Sequence, residues 1–115
     1  MNFGPVPTVG IDALAEDSFI LDVREPEEWE AGHARGALHI PMSEFVARFG
    51  ELTEAIAGDD RRVFVMCRVG GRSAQVTQYL VQQGIDAVNV DGGMMRWEAA
   101  GRAVVTDAGA AGTVV

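Results

Sequence analysis

The chain has 115 residues, and 9 basic side chains against 17 acidic ones give it a formal net charge of −8. Every basic residue is an arginine, which excludes a phosphate-binding loop of the Gly-Lys-Ser/Thr kind and any Schiff-base chemistry. The single cysteine, Cys67, excludes an internal disulfide, a Cys-x-x-Cys redox pair and a thiolate zinc cage.

The acidic balance argues against nucleic acid and anionic membrane surfaces as partners, because both repel the chain at long range. An apolar fraction of 48% with 23% charged residues fits a soluble globule. A single domain of this size buries roughly two-thirds of its unfolded surface. The start, MNFGPVPTVG, lacks a basic region followed by an apolar stretch, and no segment approaches the roughly 18 uninterrupted apolar residues of a membrane span. The expectation is a cytoplasmic protein, and nothing in the pattern demands more than a monomer.

Apolar runs alternate with helical patterns at short range, as in a parallel sheet flanked by helices. Residues 6–9 form a weak strand candidate, pushed to a sheet edge by Pro5 and Pro7. A short helix is expected over 12–15, and residues 19–21 read as a core strand. Pro26 followed by Glu27, Glu28 and Glu30 predicts a short helix entered through a first-turn proline, with acids near its positive end. A lesser strand follows at 37–40. Ser43 begins another helix, with Phe45, Val46, Phe49, Leu52 and Ile56 on one side. The run 63–66 is a core strand, and 73–83 is the best helix, with Ser73 at its N-terminus and Gly84 placed to end it. A third core strand at 87–90 and a short helix at 94–100 complete the order. Residues 106–115, TDAGAAGTVV, read as a flexible tail beyond a domain spanning 5–105. No internal repeat is visible.

The chemistry concentrates at Val63-Phe64-Val65-Met66-Cys67-Arg68-Val69-Gly70-Gly71-Arg72-Ser73. A strand ends, a cysteine follows at once, a tight loop containing Gly70 and Gly71 comes next, and a helix begins. Ligands bind at the carboxyl ends of parallel strands, and a helix start beyond a glycine-containing loop presents unpaired N–H groups to an anion. A thiol at the base of such a loop loses its proton more readily than the free reference, and a persulfide finds the same stabilisation. Glycines there let the backbone turn its N–H groups inward, through positive φ where needed. A lone cysteine beside an apolar strand is most often a small buried residue. Two glycines, two arginines and a helix start in the next positions point instead to a nucleophile.

These residues resemble the rhodanese sulfurtransferase family. Cys67-Arg68-Val69-Gly70-Gly71-Arg72-Ser73 is similar to that family's six-residue active-site loop with its following Ser or Thr. Leu21-Asp22-Val23-Arg24-Glu25-Pro26-Glu27-Glu28-Trp29, Gly32-His33-Ala34-Arg35-Gly36-Ala37 and Ile40-Pro41 resemble its upstream signature, and Gly92-Gly93-Met94-Met95-Arg96-Trp97 its C-terminal one. The resemblance implies an α/β fold, rhodanese-like, with a five-stranded mainly parallel sheet sandwiched between helices, and no cofactor or metal. It implies that Cys67 accepts a sulfane sulfur from a donor such as thiosulfate and passes it to cyanide, a small thiol or a protein thiol. Arg35 and Met66 depart from the family's usual residues, and the loop lacks the lysine that the family's thiosulfate specialists often carry.

On this reading Cys67 is the nucleophile, backbone N–H groups from Arg68 through Val69, Gly70, Gly71 and Arg72 to Ser73 hold the charged sulfur, and Arg68 or Arg72 anchors an anionic donor. Asp22 and Arg24 support the site as a charged pair fastening the loop after their strand, with direct donor contact as the alternative. His33 and His39 are structural, and Trp29 and Trp97 are core or lid anchors. A cysteine phosphatase or arsenate reductase needs Cys-x5-Arg, whereas position 73 is serine and the arginine stands at 72. A non-catalytic or relay module binding a protein partner is the remaining alternative.

Overall fold

The computed structural model describes residues 5–59 and 61–115. Short runs of branched residues form strands buried on both faces: β1 (Thr8–Val9), β2 (Phe19–Asp22), β3 (Leu38–His39), β4 (Val63–Met66) and β5 (Ala87–Val90). They lie in one sheet of order β1-β5-β4-β2-β3, and every pairing is parallel. The helices are α1 (Pro26–Ala31), α2 (Phe45–Ala55), α3 (Gly71–Gln82) and α4 (Gly93–Ala99), with 3-10 turns at Ile11–Ala13 and Met42–Glu44. Both two-residue strands are edges, β1 as the prolines around its start predict.

Two cores sandwich the sheet. Leu21, Val23, Val63 and Val65 face Phe45 and Leu52 of α2 and Val76 and Leu80 of α3. On the other face Ile20, Met66 and Val90 meet Ile11, Leu14, and Met94 and Trp97 of α4. Full burial of one such aliphatic side chain contributes about 1.5–3 kcal/mol, so these layers fix the sheet against its helices.

The helix ends follow local chemistry. Pro26 opens α1, where the Glu28 carboxylate accepts from the Glu25 N–H at 3.0 Å. At the end of α3 the Ile85 N–H donates to the Leu80 carbonyl and the Gly84 N–H to that of Val81, both at 3.0 Å, around Gly84 at φ 81°. That is a Schellman motif, with glycine at the left-handed position. The start of α3 differs from the sequence expectation. It begins at Gly71, and Ser73, expected at its N-terminus, lies inside the first turn with a fully buried side chain.

Residues 106–115, expected as a flexible tail, bond and pack against the domain. The Thr113 N–H donates to the Ala31 carbonyl at 2.9 Å and the Gly112 N–H to that of Val104 at 2.8 Å, while Val114 packs against the Met66–Met94 core. Small residues allow this contact: a Cβ on Gly32 would lie 2.6 Å from the Thr113 oxygen. The Ala and Gly content that suggests fraying is what lets the segment lie this close to α1. No helix among the described residues is long and apolar enough to cross a membrane.

Candidate active site

Asp22 and Met66 are paired neighbours at the carboxyl ends of β2 and β4, so Cys67 leaves the centre of the sheet one residue beyond this edge. Its side chain is 1% exposed. The loop after it turns at Gly70, whose φ of 126° excludes other side chains, and the Gly70 N–H donates to Cys67 Sγ at 3.0 Å. Gly71 stands in ordinary helical conformation, and a Cβ there would meet nothing within 4 Å. Of the two glycines, only Gly70 is demanded by the backbone.

The cradle is aimed from outside the loop. The N–H groups of Gly92, Met94 and Met95 donate to the carbonyls of Val69, Cys67 and Arg68 at 3.1, 2.9 and 3.0 Å. Carbonyls drawn toward the start of α4 leave the loop N–H groups facing the sulfur. Gly93, at φ 51°, is required here, because a Cβ would press on the Cys67 and Arg68 carbonyl oxygens. The Gly92-Gly93 pair thus shapes the loop that holds Cys67.

Burial pushes the Cys67 thiol up, but the Ser73 hydroxyl, 3.2 Å from Sγ, and the N–H groups of Ser73, Gly70 and Val69 more than offset it. The thiol therefore sits below its ordinary value of 9.0. Ser73 Oγ also lies 2.5 Å from Asn89 Oδ1, on buried β5. Sequence reasoning missed Asn89; the available signal was one polar residue in the otherwise apolar run Ala87-Val88-Asn89-Val90.

The two loop arginines have different surroundings. Arg72 forms a bidentate pair with Glu28 of α1 at 2.6 and 2.9 Å, and that hydrogen bond, against the effect of burial, raises its pKa while it holds the Glu28 carboxyl low. Its guanidinium remains close enough for Coulomb attraction to Cys67. Arg68 is exposed, and its Nε donates to the main-chain oxygen of Val115 at 2.9 Å. Val69 is exposed beside it.

Asp22 and Arg24 are buried, 1% and 0% exposed, and joined at 2.7 Å. Arg24 spends its remaining donors on the carbonyls of Glu28 and Gly32, so the pair ties the end of β2 to both ends of the turn through α1. Trp29 is stacked between His33 and His39, at 3.5 and 4.6 Å between ring centroids. Each histidine also bonds a backbone carbonyl, that of Trp29 for His33 and that of Arg24 for His39. The Trp97 indole donates to the Ala103 carbonyl. An open cleft of ≈ 730 Å³, lined by Leu14, Ile20, Arg35, Trp97 and Arg102, contains none of the loop residues. Among the described residues, no group of three or more His, Cys, Asp and Glu is arranged to hold a metal ion.

Comparison with known proteins agrees with this architecture. A family model described as a rhodanese-like domain matches residues 10–100. A sulfurtransferase of Allochromatium vinosum is 37% identical over 98 residues, covering 84% of this chain and 87% of that protein. The crystal structure of a rhodanese-related protein from Thermoplasma volcanium is 32% identical, with a TM-score of 0.76 over 88% of this chain and 99% of that one. The structure of an NAD-dependent persulfide reductase from A. fulgidus is 29% identical, with a TM-score of 0.65 over 80% of this chain and 16% of that one. Because the family model covers the strands and helices that build the loop, and relatives above 30% identity match most of the chain, the protein belongs to the family of rhodanese-like domains.

Proposed function

We propose that the protein is a sulfurtransferase that carries sulfur as a persulfide on Cys67. The observation that carries this reading is the cradle itself: a lone thiol, lowered in pKa, with the Gly70 N–H at 3.0 Å and the Ser73 hydroxyl at 3.2 Å. The Cys67 thiolate attacks the outer sulfur of a donor such as thiosulfate. An S–S bond forms to Cys67 while the donor's S–S bond breaks, and sulfite departs with the electron pair. An acceptor thiolate or cyanide then attacks the outer sulfur, and Cys67 leaves as thiolate, restored by double displacement. N–H groups of the loop stabilise the charged sulfur in each step.

Arg68 is the anchor for an anionic donor, since it is exposed beside the loop and its Nε alone is engaged, by the Val115 main-chain oxygen, whereas both terminal nitrogens of Arg72 are forked onto the Glu28 carboxylate. The same engagement weighs against a phosphatase, which would need a free arginine fork closing on the oxyanion. With no second cysteine, the resolving thiol comes from another molecule, and the exposed Val69 suits approach by a protein acceptor. The sulfurtransferase and persulfide reductase named above support sulfur chemistry at this site.

Incubation with thiosulfate, mercaptopyruvate or a cysteine-desulfurase donor is expected to raise the intact mass by one sulfur atom, and Cys67→Ser to abolish the gain. Failure of the wild type to take up sulfur from all three would overturn the reading.

A further inference from the structure

Within β5, Asn89 is 6% exposed and the only polar side chain of a strand that is otherwise apolar. Its Oδ1 lies 2.5 Å from Ser73 Oγ, which in turn lies 3.2 Å from Cys67 Sγ. Three buried side chains from β5, α3 and the end of β4 therefore form one line ending on the nucleophile. Thr77 Oγ1 donates to the Ser73 carbonyl and leaves the hydroxyl free for this line.

A serine hydroxyl has one proton, and here two groups can claim it. With Cys67 protonated, S–H donates to Ser73 Oγ and Ser73 O–H donates to Asn89 Oδ1. The sulfur, the hydroxyl and Oδ1 are then each paired. Once the sulfur is anionic it has no proton to give, and both Sγ and Oδ1 become acceptors. If the hydroxyl turns to the sulfur, Oγ and Oδ1 face each other with no proton between them. A half-turn of the Asn89 amide removes the conflict, because Nδ2–H then donates to Ser73 Oγ while Ser73 O–H donates to the sulfur.

We propose that Asn89 is a positioning residue whose amide turns with the charge on Cys67, directing the Ser73 hydroxyl toward the sulfur whenever that sulfur is anionic. An amide presents an acceptor on one side and a donor on the other, which neither an ionised carboxylate nor a leucine at this position can do. The chain N–H to O–H to S⁻ ends on a charge, with each donor polarised by the one behind it, so it outweighs the neutral chain it replaces. The other charged groups around the loop include the Arg72–Glu28 pair, with Glu25 beside it, Arg68 with the Val115 main-chain oxygen it bonds, Arg96 against Gly92, and the buried Asp22–Arg24 pair. Among the described residues none of these hydrogen bonds to the Ser73 hydroxyl or the Asn89 side chain. The inference rests on the sulfur-transfer reading for its role in turnover, and on geometry alone for its effect on the thiolate.

The test is the pH profile of Cys67 alkylation by iodoacetamide in the full chain, compared among wild type, Asn89→Leu, Asn89→Asp, Ser73→Ala and the double variant Ser73→Ala with Asn89→Leu. Asn89→Leu is expected to move the midpoint upward and slow alkylation at neutral pH by about threefold to tenfold, the worth of one hydrogen bond. Asn89→Asp moves it further, since a carboxylate keeps the serine proton in every state, and it carries the same prediction should the leucine variant lose its circular dichroism. In the Ser73→Ala background, Asn89→Leu adds no further shift. An unchanged midpoint in both Asn89 variants, or an undiminished Asn89→Leu effect in the Ser73→Ala background, overturns the proposal. Sulfur uptake by intact mass on the same samples is scored separately, so loss of the sulfurtransferase reading leaves the alkylation profiles to decide the role of Asn89.

Discussion

At the scale of single residues, the site depends on how the Cys67 thiol is made more acidic inside a buried loop. Burial alone would raise its pKa, and the Ser73 hydroxyl with the loop N–H groups reverses the sign. Thiolate therefore forms at lower pH than in a free cysteine. The rate of sulfur uptake from thiosulfate is expected to climb with pH through a midpoint lower than that of a free cysteine, while Ser73→Ala shifts the rise to higher pH; stopped-flow detection of sulfite release across pH measures both. The Asp22–Arg24 pair belongs to stability. Asp22→Ala leaves a fully buried guanidinium without its carboxylate, and urea unfolding is expected to show a loss of about 3–5 kcal/mol. The charged pair was legible from the motif Leu21-Asp22-Val23-Arg24, but its grip on the carbonyls of Glu28 and Gly32 was not, because those contacts depend on the turn of α1.

At the scale of elements, the nucleophile loop is shaped by the start of α4 as much as by its own glycines. Three carbonyls of the loop are held by N–H groups of residues 92, 94 and 95, and only glycine at 93 permits the approach. Gly84 has a similar positive φ of 81°, but a Cβ there meets nothing within 4 Å. Gly84→Ala is expected to cost about 1–2 kcal/mol, the strain of a left-handed residue, and to leave sulfur uptake intact. Gly93→Ala adds displacement of the Cys67 and Arg68 carbonyls, and is expected to lower both the melting temperature and the rate of sulfur uptake. Calorimetry and intact-mass kinetics on the two variants separate the effects. Sequence spacing located the start and end of α3 to within two residues, yet it assigned Ser73 to the helix terminus. Serine caps a helix by bonding a nearby backbone donor, but here its hydroxyl lies against the buried sulfur and Asn89.

At the scale of the molecule, residues 106–115 tie together parts of the chain that are distant in sequence. They bond Ala31 at the end of α1, Glu98 in α4 and Arg68 in the loop, and Asp107 accepts from the Trp29 indole at 3.2 Å. Deletion of 106–115 uncovers Gly32 and the Met66–Met94 core. It is expected to cost about 1–2 kcal/mol and to lower the melting temperature by about 4–8 °C for each kcal/mol in a domain of this size, read by differential scanning calorimetry. Equal melting temperatures for the truncated and complete chains would show that the segment adds nothing to stability.

The alternation of strands and helices, the parallel sheet and the position of Cys67 at a strand-to-helix turn were all legible in the amino-acid order. These follow from local rules: branched apolar runs, a proline at a helix start, glycine past a helix end. Long-range contacts alone show what holds each loop arginine, which glycines are obligatory, what the Ser73 hydroxyl lies against and where the last residues bond. Each of these depends on atoms brought together from separate segments, Glu28 against Arg72, Gly93 against the Cys67 carbonyl, Asn89 against Ser73 and Thr113 against Gly32, and no local pattern encodes those distances.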